Sequence, residues 1–443
     1  MRRAAHLLTS LFALAVALTT EANAISEHQT PAFHVRFSKS LAVYAFVYNL
    51  SSKWGPLALG PSNSFKTLFT GSPYDQEKYK NLIDDFNKTT LAYELDYQDY
   101  AGLGKIALST ESLLWKELVS SQSVAEFKQR AVGIIPNPSL FKIAEVLAAF
   151  EPVYDELVYQ PNKEAFEKQL RDLDDLIATT DMGRYFDVGI KFYGSVWDNS
   201  IPVNMYFYPL PNAKGFTATV FFNNAISGIP STLTDYNGLL SVAFHEMFHI
   251  LYDEQPLDLR KQIDEWQKTN PSKASHYAFA LLNEALATAL GNGYVSGQLK
   301  GKLNEGKWYN RKYISEMAKK IYAVVTQYID AGKPMDKSFI DEYVKVFDEN
   351  FTDWLYDLDF LLTERYVISD DRSDFEILDR KFPYRNDAFY KTVLTELTLL
   401  EMKARHTTKM VVISAGNNKK LELVKKSFPE LSNWKPDGNK DFT

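Results

Sequence analysis

A chain of 443 residues, 45% of them hydrophobic, exceeds the length at which one core keeps growing, so at least two lobes are expected. Its formal net charge of −7 argues against nucleic acid or an anionic membrane surface as the main partner. The lack of any cysteine excludes disulfides and a lipid-modified cysteine.

At the start, Arg2-Arg3, an apolar run over 7–18 and Ala22-Asn23-Ala24 have the charged, apolar and small-residue parts of a secretory signal peptide, residues 1–24. The apolar part is too short to remain as a stable membrane span. Cleavage after Ala24 removes two arginines and Glu21, which takes the charge from −7 to −8. An exported chain without cysteine suits the Gram-negative periplasm or the surrounding medium.

Residues 25–200 read as mainly helical, with helical spacing over 41–50, 75–86, 112–120, 139–154 and 163–178 between Pro, Gly, Ser or Asn breaks. Two strands are expected next, over 201–210, where Val203, Met205 and Phe207 alternate, and over 215–222, rich in aromatic and β-branched residues. A helix over 235–253 follows, with Leu240, Phe244, Met247, Phe248 and Leu251 at spacings of three and four. Asp235 suits its start, and Pro256 lies past its end. A second, alanine-rich helix over 271–290 would stop at Gly291-Asn292-Gly293. Helical spacing returns over 308–329, 335–350 and 387–405, before a strand over 409–414 and a helix over 419–428. The expected fold is α+β, mainly α-helical, with a small sheet over the 235–253 helix. The expected regions are 25–200, 201–370 and a C-terminal α/β region, 371–443.

The chemistry-bearing motif is His245-Glu246-Met247-Phe248-His249, midway along the 235–253 helix. Residues four apart share a helix face, so both imidazoles can reach one ion, while Glu246 sits one step round, beside a metal-activated water. Two histidines and a glutamate in so apolar a segment are costly to bury without a partner, and a metal supplies one. A tetrahedral catalytic zinc needs a third protein ligand. The metzincin sequel would place a glycine and a histidine at Tyr252 and Gln255, so it is excluded. Downstream stands Asn283-Glu284-Ala285-Leu286-Ala287, with Leu281, Leu282, Ala285 and Leu286 around a carboxylate that would need a partner if buried.

The motif and this sequel together resemble the gluzincins, the thermolysin-like clan in which H-E-x-x-H precedes a helix bearing N-E-x-x-A or a close variant. The resemblance implies a zincin-like core, one zinc held by His245, His249 and Glu284, and Glu246 as general base in peptide hydrolysis. It also implies that a strand edge receives the peptide, with Asn224-Ala225 in the place of the substrate-contacting pair. One departure stands out: Thr288 occupies the position, one turn past the ligand glutamate, where such enzymes often carry an aspartate that orients a zinc-bound histidine. His276 reads as a polar contact or a transition-state donor, and Tyr294, Tyr313, Arg365 and Tyr366 are further candidates for that donor. The expected partner is a peptide or protein substrate, with no nucleic acid; nothing in the pattern defines an oligomeric state. Two other functions fit the same motif: a zinc-binding envelope protein without turnover, and a metal-dependent hydrolase of a non-peptide bond.

Overall fold

The computed structural model describes residues 30–53, 55–60, 63–95, 108–383, 387–405, 407–414 and 417–435, so the expected signal peptide, residues 1–24, lies outside the described residues. The protein is mainly helical with small sheets, and two units are distinguished by their internal contacts. One takes in the described residues up to Thr269 together with Leu281–Ile340, and the other takes in Asn270–Ala280 and the chain from Asp341 onward. No described helix is long and apolar enough to cross a membrane.

In the first unit, β1 (Phe33–Arg36) leads into α1 (Lys39–Leu50), whose cap Ser38 accepts from the Leu41 amide at 3.2 Å. Every residue of α1 after Lys39 is buried, as a segment apolar on all sides must be. Its Phe46 meets Phe150 and Tyr154 of α2 (Asn137–Tyr154) edge-on, in a core shared with Tyr208, Phe221 and Ile226. After α3 (Met182–Tyr193) come β2 (Val203–Pro209), β3 (Thr219–Phe221) and β4 (Asn224–Ile229).

The sheet order is β1-β2-β4-β3, with β1 and β4 parallel to β2, and β3 antiparallel to β4. The strand expected over 215–222 is therefore three residues long and lies on an edge. Asn224 and Ala225 belong instead to β4, which is paired on both sides and buried throughout.

α4 (Tyr236–Asp253) carries the H-E-x-x-H motif, and Asp235 caps it by accepting from the Gly238 amide at 2.9 Å. The single helix expected over 271–290 is broken at Leu281, between a short helix over Ser275–Ala280 and α5 (Leu282–Ala287). Nor does helical structure stop at Gly291-Asn292-Gly293: a π-helical turn over Thr288–Val295 runs into a last turn, Ser296–Lys300, and Gly301 at φ 69° provides the left-handed stop. Gly291 serves close packing instead of capping, because a Cβ there would lie 2.6 Å from the backbone N and Cα of His245. α6 (Lys312–Asp330) begins four residues later than expected, which leaves Trp308 and Tyr309 in the preceding segment.

The second unit holds β5 (Glu364–Ser369), α7 (Arg372–Lys381), β6 (Asp387–Lys391), α8 (Glu396–Lys403), β7 (Thr408–Val412) and α9 (Asn418–Ser427). Its strands are parallel in the order β6-β5-β7. Alternation along β5 sends Tyr366 and Ile368 to a core with Leu399 and Met402 of α8, and Val367 to another with Phe375 and Leu378 of α7. The expected boundary after residue 370 falls between β5 and α7. The helix expected over 387–405 is corrected to strand β6 followed by α8. The strand and helix expected over 409–414 and 419–428 are present as β7 and α9.

Candidate metal centre

α4 and α5 bring His245, His249 and Glu284 together. The His245 and His249 Nε2 atoms are 3.2 Å apart, and Glu284 Oε2 is 3.6 Å from the first and 3.7 Å from the second. Among the described residues this is the one group of three or more His, Cys, Asp or Glu side chains close enough to hold a metal ion. Close approach is possible because Ala285 and Ala287 are buried with no bulk beyond Cβ, as the alanine content of this segment predicts. Gly291 brings the π-helical turn equally close to α4.

The donor set fits a cation. Ligands about 2.0–2.1 Å from a tetrahedral zinc stand about 3.3 Å from one another, close to the three separations observed. One proton shared between the imidazoles would account for their contact but would leave Glu284 Oε2, which is buried, without a hydrogen-bonding partner. A cation among the three satisfies all of them. His245 is buried, His249 is mostly so, and the Glu284 side chain keeps 35% of its exposure. The site is therefore open on the carboxylate side, as a catalytic metal site must be.

Burial raises the Glu246 carboxyl to about 7, with the His249 charge opposing this and the Glu284 charge adding to it. Glu284 is affected in the opposite direction: burial pushes it up, but His245, His249 and the Tyr309 hydroxyl together bring it down to about 2. Two carboxyl groups at one site are thus held apart in basicity. The ligand candidate stays ionised, while its neighbour can take up a proton near neutral pH.

Thr288 orients neither imidazole; another residue does so for His249. Thr288 is fully buried, but its hydroxyl has no hydrogen-bonding partner. Asn283 Oδ1 lies 2.9 Å from His249 Nδ1, so it holds the second imidazole with Nε2 facing the centre. Asn283 was visible as the residue before Glu284, but its role depends on the fold. His245 Nδ1 is buried without a partner, and its ring is stacked on Tyr309 at a centroid separation of 5.6 Å and an interplanar angle of 27°. Tyr309, missed in the sequence as one of 26 tyrosines, also acts on Glu284: its hydroxyl helps to lower that carboxyl, and the carboxylate in turn raises the phenol.

Other candidates are engaged elsewhere. The Asn224 side chain is held at the start of β4 by Asn204 and Asn223 at 3.2 Å each, and Ala225 is buried on the same inner strand. In the second unit, His276 pairs with Glu364 at 3.3 Å, and the Tyr366 hydroxyl donates to Glu401 at 3.0 Å. Arg365, also in the second unit, donates to the carbonyls of Leu362 and Phe382, to the Tyr390 hydroxyl and to Asp379. Tyr294 packs edge-on against Tyr185, and Tyr313 lies in the first turn of α6.

No family model matches this sequence, and no curated protein or solved structure is significantly similar to it.

Proposed function

We propose that the protein is an exported zinc-dependent metallopeptidase of the gluzincin type, with a zincin-like core. The observation that carries this reading is the convergence of two imidazole nitrogens from α4 and one carboxylate oxygen from α5 at 3.2, 3.6 and 3.7 Å. His245, His249 and Glu284 would hold the ion. When bound, zinc supplies a nucleophilic water at neutral pH and polarises a carbonyl.

Glu246 takes the proton of the attacking water and passes it to the leaving amine. Its raised basicity at a half-buried position suits it to both steps. Asn283 fixes the His249 ring so that Nε2 faces inward. Support for a peptide substrate comes from β3, an edge strand whose outer side pairs with no described strand and which packs against α4. An extended peptide can add to such an edge through main-chain hydrogen bonds.

The test compares the wild-type protein with Glu246→Gln, each with and without chelator, on casein and a peptide library. Cleavage that chelator abolishes, and that drops about 10²–10⁴-fold in the variant while its zinc content holds, supports the reading. Equal zinc in both proteins with no cleavage by either would make this a metal-binding protein without turnover. N-terminal sequencing of exported material checks removal of residues 1–24.

A further inference from the structure

We infer that Tyr309 is a positioning residue for the metal centre, gripping the third ligand and one imidazole together and thereby setting how tightly the ion is retained. The inference rests on the metal reading and extends it to a residue outside the motif and its sequel.

Tyr309 makes two contacts at the centre from one side chain. Its ring lies along the His245 ring, 5.6 Å between centroids, and its hydroxyl is close enough to the Glu284 carboxylate to help hold that carboxyl low. His245 Nδ1 is buried without a hydrogen-bonding partner, so this ring lacks the polar support that Asn283 gives His249. Stacking against Tyr309 restricts its rotation instead. Glu284 is the most exposed of the three ligand side chains and has the most freedom to swing away. A hydroxyl beside its carboxylate restrains its orientation and leaves its lone pairs for the ion.

The backbone that carries Tyr309 is anchored from the same part of the fold. Asn292, in the π-helical turn just after Glu284, donates to the Trp308 carbonyl at 2.6 Å. The Trp308 amide donates to Ser315 Oγ at 3.1 Å, and its indole donates to the Asn304 carbonyl at 2.6 Å. The Trp308 ring lies over Gly293, where a Cβ would come within 2.7 Å of it. The turn that follows the ligand helix therefore holds the neighbour of Tyr309, and Tyr309 reaches back to the ligand. This loop of contacts explains why two glycines and an asparagine, which look like a helix stop, sit inside a helical segment.

The test uses the full-length protein and zinc alone, titrated against a chromophoric chelator, for wild type, Tyr309→Phe and Glu284→Gln. Tyr309→Phe keeps the ring and removes the hydroxyl. Its zinc affinity is expected to fall about 10–100-fold, the range for loss of a partner that orients a ligand. Its metal-free melting temperature should match wild type, and its peptide turnover should recover once zinc is saturating. Affinity within twofold of wild type overturns the inference. Unchanged affinity with turnover still reduced at saturating zinc also overturns it, by moving Tyr309 onto the substrate. If wild type itself takes up no stoichiometric zinc, or Glu284→Gln binds as well as wild type, the metal reading fails first and the inference goes with it.

Discussion

Arg365 and the Glu284–His245 pair treat buried polar groups in opposite ways. Arg365, wholly buried in the second unit, sends its guanidinium to two carbonyls, a tyrosine hydroxyl and Asp379, the last at 2.5 Å. Each branch of that cation ends on a protein oxygen, so the group is complete without any ligand. At the candidate metal centre, Glu284 Oε2 and His245 Nδ1 are buried without hydrogen bonds, and the nearest imidazole nitrogens stop at 3.6 and 3.7 Å from the carboxylate. Burial alone does not mark a functional group. Burial that the protein leaves unsatisfied, in a geometry that one ion would complete, does.

The sharpest way to break this contrast is Arg365→Met. It removes the cation beside Asp379, which keeps the Tyr390 hydroxyl as a donor, and leaves two carbonyls without theirs, so it should cost stability toward the lower end of about 3–5 kcal/mol, since Asp379 keeps 35% of its exposure. Urea unfolding of the full chain measures it, and an unmoved midpoint would show that Arg365 is no structural cation. Metal loading tests the other side. Free zinc at one hundred times its dissociation constant should raise unfolding stability by about 2.7 kcal/mol, and Glu284→Gln should lose most of that rise. Thermal melts with and without zinc decide it, and equal shifts in the two proteins would remove Glu284 from the ligand set. A smaller effect is expected at Gly291→Ala. The new methyl meets His245 backbone atoms at 2.6 Å, so α4 and the π-helical turn must part, at about 1–3 kcal/mol, and zinc retention should weaken. Melting together with a chelator competition follows both quantities. A variant as stable and as retentive as wild type would mean that the close approach does not matter to the centre.

Spacing made the motif legible: His245 and His249 share a face of α4 in any helix, whatever packs round it. Glu284 was singled out by its apolar neighbours and assigned a role only through resemblance, since a glutamate on an amphipathic helix carries no mark of where that helix docks. Tyr309 had no such mark either. It lies in no periodic element, and its two contacts cross 25 residues to Glu284 and 64 to His245 (309 − 284 and 309 − 245). Asn224-Ala225 failed as a substrate edge because pairing decides which strand is outermost, and β4 acquired a neighbour on each side. The 387–405 segment failed for a related reason. Its apolar residues fit a helical period, but residues 387–391 lie beside β5, where the ladder overrides local preference.

The amino-acid order alone determined the two histidines on one helix face with Glu246 one step round, the mainly helical composition of the elements and the apolar character of α1, all of which depend on neighbours within a few turns. Tertiary structure alone decided that Asn283 and not Thr288 steadies an imidazole, that Gly291 packs instead of capping, and that Tyr309 reaches Glu284. Those outcomes depend on how far apart two backbones come to rest, a distance that packing sets and local sequence does not encode.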